Sequence, residues 1–84
     1  MNSRQRKILE AVFADPILSN IEWRQIETLL VSVGCELIEG RGSRIAFKYG
    51  THRADFHRPH PGKEAKPYQI RAAREFLKGM GVTP

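Results

Sequence analysis

The sequence predicts an α+β fold in which two helices cover one face of a three-stranded antiparallel sheet, with one further helix ahead of that unit. Three observations carry this reading. Apolar residues recur with helical period up to Gly34, alternate between Cys35 and His57, and return to helical period after Pro67. A chain of 84 residues, 40% hydrophobic and 27% charged, suffices for one small core and is too short for two. One domain over residues 1–84 is therefore expected, with 1–17 as the added helix and 18–84 as the α-β-β-β-α core.

Arg4 to Ala14 sets Ile8, Leu9, Val12 and Phe13 on one helical face, with Asn2 or Ser3 as N-cap and Asp15-Pro16 as the stop. Ser19 to Glu22 has the spacing of a capping box. Trp23, Ile26, Leu30 and Val33 then share a face, with Leu29 beside them, until Gly34 offers a left-handed stop. Cys35 to Glu39, Ser43 to Lys48 and His52 to His57 read as a meander with turns at Gly40-Arg41-Gly42 and Tyr49-Gly50-Thr51. Alternation assigns Ile45, Phe47, Ala54 and Phe56 to a helix-covered face and Arg44, Lys48, Arg53, Asp55 and His57 to the other. Ile38 and Ala46 fall on that polar side, to be covered by the first helix or by a partner protein. Pro67 suits the first position of a closing helix with the stripe Ile70, Ala73, Leu77 and Met80, ended by Gly79 and Gly81. The layout is that of double-stranded-RNA-binding domains, although architecture alone assigns no function.

Fourteen Lys and Arg against nine Asp and Glu give a formal charge of +5. Such a chain favours a polyanionic partner, nucleic acid or an acidic protein. Cys35 is the single cysteine, so there is no intrachain disulfide, and neither a cysteine-based zinc site nor a secretory framework is suggested. No apolar run approaches the ~20 residues that span a bilayer, and the polar start lacks the apolar segment of a signal peptide. A cytoplasmic location without membrane contact is expected.

Chemistry-bearing residues concentrate between Phe56 and Glu64, where a strand ends and a helix has yet to begin. Gly40-Arg41-Gly42-Ser43 leading into a hydrophobic strand, followed by His60-Pro61-Gly62-Lys63-Glu64 and a closing helix, resembles the HicA family of toxin–antitoxin ribonucleases. The likeness runs from Ile21 to Val82, and the added helix marks a longer form of the family. What the resemblance implies is a double-stranded-RNA-binding-like fold, an endoribonuclease that cleaves mRNA and arrests growth, and a HicB-like antitoxin that covers the active surface. In the commoner form a histidine follows the Gly-Ser and is assigned to catalysis; here that position is Arg44. Either the chemistry has moved to another imidazole, or the chain binds RNA or antitoxin without cutting. The closing helix also departs, with Pro67-Tyr68-Gln69 where the commoner form starts on glycine.

RNA is cut without a metal when its own 2′-hydroxyl attacks the adjacent phosphate, which needs a base, a cation for the charged phosphorane and an acid for the leaving oxygen. Histidine suits both proton-transfer roles near neutral pH. His60 and His57 are the catalytic candidates, and Arg44, Lys48, Arg53, Arg58 and Lys63 the candidates for phosphate, with Arg41 on the same charged surface. Each has a plainer reading. His57 at a strand end equally suits a turn-fixing hydrogen bond, and charged residues on an outer strand face are an ordinary way to meet water. His52 reads as a solvated group, Trp23 as core, Tyr49 and Tyr68 as weak stacking candidates, and Cys35 as a small buried apolar residue. His57, His60 and Asp55 make a poor metal-ligand pattern, and no metal or cofactor is assigned. A protein-interaction domain whose basic face meets an acidic partner is a third reading.

Overall fold

The computed structural model describes residues 1–84 as α1 (Ser3–Val12), α2 (Trp23–Ser32), β1 (Glu36–Glu39), β2 (Arg44–Tyr49), β3 (His52–His57) and α3 (Pro67–Gly79). The expected element order and α+β class are both present. Asn2 caps α1, its Oδ1 accepting the Gln5 N–H at 2.9 Å. The helix ends two residues before the expected Ala14, because the Phe13 and Ala14 amides turn back to i−3 carbonyls, tightening the last turn ahead of Asp15-Pro16. Arg74 of α3 closes this end, donating from Nε to the Val12 carbonyl at 2.9 Å and from Nη2 to the Ala14 carbonyl at 2.8 Å.

The expected capping box at Ser19 to Glu22 is displaced. The helix starts at Trp23, and the Gln25 side chain accepts the Glu22 N–H at 2.9 Å. The reason is tertiary. Ala65 N–H donates to the Ile21 carbonyl at 2.8 Å and Trp23 N–H to the Lys63 carbonyl at 2.9 Å, which holds the preceding chain extended against the 58–66 loop. The stop at Gly34 is as expected. At φ +110° it lets Cys35 N–H reach the Leu30 carbonyl and its own N–H the Val31 carbonyl, and Gly81 repeats the device for α3 at φ +82°.

The sheet has the order β1-β2-β3, antiparallel throughout, and pairs Leu37 with Phe47, Ile45 with Phe56, and Phe47 with Ala54. Ile45, Phe47 and Phe56 are buried with Ile26, Leu29 and Leu30 of α2 and Ile70, Ala73 and Leu77 of α3 in one contiguous cluster. Burying each large side chain of this kind contributes roughly 1.5–3 kcal/mol. Trp23 belongs to it, 5.1 Å from the Phe56 ring, with its indole N–H donated to Glu27. Leu9 and Val12 of α1 join the same cluster, and α1 docks on α2 and α3. The first helix therefore does not cover Ile38 and Ala46, and the opposite face of the sheet stays open.

Candidate nucleic-acid interface

The open face is built by alternation along two paired strands. Its cross-strand neighbours are Arg44 with His57, Ala46 with Asp55, and Lys48 with Arg53, while Ile38 and Glu36 of β1 extend the second and third rows. Ala46, the one small side chain in the middle row, is only 3% exposed and forms a low floor beside Ile38. The resulting groove, of about 370 Å³, is walled by Arg41, Arg44, Arg53, Asp55 and His57. That volume is at the lower end of small-ligand sites.

Within it, the Arg44–His57 pair is of the closer kind. Arg58 N–H donates to the Ser43 carbonyl at 2.8 Å, a pattern that makes Arg44 and His57 a non-hydrogen-bonded pair, whose side chains approach most nearly. His57 Nδ1 lies 3.4 Å from Ser43 Oγ, which leaves Nε2 without a protein partner. Arg53 grips Asp55 two-pronged, at 3.1 Å from Nη2 and 3.3 Å from Nε, and that hydrogen bond pushes its guanidinium further up. Arg41 and Arg44 make no ion pair and face the groove free.

The other sequence candidates lie elsewhere. Arg58 turns away from the groove into a recess between α2 and the 58–66 loop, lined also by Glu22, Trp23, Glu27 and Lys63. Its Nε meets Glu27 at 2.8 Å and its Nη1 meets Glu39 at 2.7 Å; Glu27 and then Glu39 push its pKa up. Its guanidinium thus joins α2 to β1, where the sequence suggested a phosphate contact. Lys63 is 3.7 Å from Glu22 in the same recess. His60 is exposed near the apex of the loop, lines neither recess and makes no side-chain hydrogen bond. Lys48, on the open face, is exposed one row beyond the groove. No three His, Cys, Asp and Glu side chains gather as a metal site.

Sequence reasoning passed over Gln69. It is 1% exposed, accepts the Lys66 N–H at 2.9 Å and donates to the His57 carbonyl at 2.7 Å. The readable signal was a polar residue at i−4 and i−8 from Ala73 and Leu77, squarely on the apolar stripe.

No helix is long and apolar enough to cross a membrane. No curated protein and no solved structure matches the chain. The family model described as the HicA toxin of bacterial toxin–antitoxin matches residues 23–82, the stretch from the first residue of α2 to just past the end of α3. With the matched segment holding every strand, the groove and the histidine loop, the chain belongs to the HicA toxin family.

Proposed function

We propose that this toxin is an endoribonuclease that lays mRNA across the open sheet face and cuts it by metal-independent acid–base chemistry. The observation that carries the reading is the close Arg44–His57 pair in a groove with Arg41. An imidazole with a free Nε2 beside two unpaired guanidinium groups supplies a proton acceptor and a phosphate clamp in one place. His57 takes the 2′-hydroxyl proton as the 2′-oxygen bonds to phosphorus. Arg44 and Arg41 stabilise the charged phosphorane, and the P–O5′ bond breaks, leaving a 2′,3′-cyclic phosphate. The leaving 5′-oxygen takes its proton from solvent, since His60 lies outside the groove, and Lys48 and Arg53 are assigned to the flanking phosphates. The family membership supports a cognate antitoxin, which we assign to the HicB type and seat over the same face, where Ile38 stays partly exposed.

A second reading rests on Arg44 itself. Standing where the resemblance leads one to expect histidine, it would leave a module that holds RNA or antitoxin without cutting. The two separate on incubating the purified chain with mixed-sequence RNA in EDTA and mapping the product ends. Cyclic phosphate ends that disappear in His57→Ala support the first reading; RNA that is retained but never cut establishes the second.

A further inference from the structure

The strand order makes β3 an edge. Because Arg44 and His57 form a non-hydrogen-bonded pair, the N–H and C=O of His57 point away from β2, outward from that edge, where no further strand exists to receive them. A backbone carbonyl in this position is ordinarily left to water. Here a side chain has come to it from the helical layer: Gln69 Nε2 donates to the His57 carbonyl at 2.7 Å, while its Oε1 accepts the Lys66 N–H at 2.9 Å. The amide is 1% exposed and both of its ends are satisfied. A buried amide missing either partner is left with an uncompensated polar group, so the pair of bonds defines one side-chain placement.

We infer that Gln69 is a positioning residue for His57, fixing the peptide plane that aims the imidazole into the groove. The inference rests on the ribonuclease reading for its kinetic consequence but not for its structural one. Gln69 touches His57 through the backbone, from the helical layer, and Ser43 Oγ lies 3.4 Å from the ring at Nδ1. Together they leave Nε2 as the nitrogen offered to substrate. The alternative is that Gln69 merely caps α3 through Lys66.

Two variants of the full chain separate these. Gln69→Met keeps the shape and loses both bonds. Gln69→Glu reproduces both bonds when its carboxyl is protonated, the hydroxyl donating to the His57 carbonyl, and only the accepting, capping one when ionised. On the inference, Gln69→Met lowers kcat on RNA about tenfold with KM changed less than twofold. Gln69→Glu approaches wild-type rate at low pH and falls away from it as the buried carboxyl ionises, a transition absent from the wild-type profile. NMR signals of the His57 ring, recorded without RNA, shift in Gln69→Met and, as its carboxyl ionises, in Gln69→Glu. Should Gln69→Met fail to fold, the ratio of Gln69→Glu to wild type across pH carries the test. A flat ratio of Gln69→Glu to wild type, the cap being kept throughout, with unmoved His57 signals overturns the inference. If the wild-type chain cuts no RNA, the ribonuclease reading fails alone, and the His57 ring signals decide the role of Gln69.

Discussion

Arg58 shows what alternation along a strand leaves out. The sequence placed it among phosphate contacts because it follows His57 in a basic run; the fold hands it to Glu27, 31 positions away, and Glu39, 19 positions away. No local pattern encodes partners at such separations. Glu27 is the more buried of the two, with 18% of its side chain exposed, and it also takes the Trp23 indole N–H. Arg58→Ala is expected to cost about 1–2 kcal/mol in urea unfolding, less than a fully buried pair because the guanidinium is partly solvated. It should leave the salt dependence of RNA binding unchanged, as a groove arginine would not. Cys35 is a residue whose burial was legible, since it opens an apolar alternation; at 6% exposure, burial pushes its thiol up from the ordinary value of 9.0. The fold favours the neutral thiol. Its contribution is thus complete below the unfolded thiol's pKa and is lost as pH rises through the raised folded value. Unfolding stability measured from pH 8 upward should fall, and Cys35→Ala should remove that part of the fall.

At the scale of elements, the periodicities were sufficient for every helix and strand, and the errors sit at the ends. The box at Ser19 to Glu22 was a sound local motif overruled by hydrogen bonds to the Lys63 carbonyl and from the Ala65 N–H, some forty residues on in the chain. The glycine stops needed no such help, since a left-handed residue at the end of an apolar stripe is specified locally. They are unequal, however. A Cβ on Gly34 would lie 3.2 Å from Tyr49 Cε1, whereas one on Gly81 meets nothing within 4 Å. Both substitutions to Ala incur the left-handed cost of about 1–2 kcal/mol. Thermal unfolding should show Gly34→Ala as the more destabilised, and Gly34→Ala should also disturb Tyr49 at the end of β2, loosening the β2–β3 turn.

For the whole molecule, a charge of +5 favoured a polyanion partner without saying which surface would meet it. The structure divides the cations between a groove in which Arg41 and Arg44 are free and a recess in which Arg58 and Lys63 are engaged by carboxylates. That division was illegible because it depends on which way the 58–66 loop folds over α2. On the proposed function, which makes Arg41, Arg44, Arg53 and Lys48 phosphate contacts, the affinity for single-stranded RNA should fall with log salt at a slope of about −2 to −3. Arg44→Ala should shallow that slope by about 0.7 and Lys63→Ala should not, as fluorescence anisotropy across a salt series would show. The docking of α1 carries a consequence for anyone recombining this protein. The segment that earns family membership begins at residue 23, yet Leu9 and Val12 sit in the same core as Phe47, and Arg74 holds the end of their helix. Similarity and self-sufficiency therefore have different borders: a chimera that grafts residues 23–82 alone would bring a torn hydrophobic surface with it, and the portable module starts at Asn2.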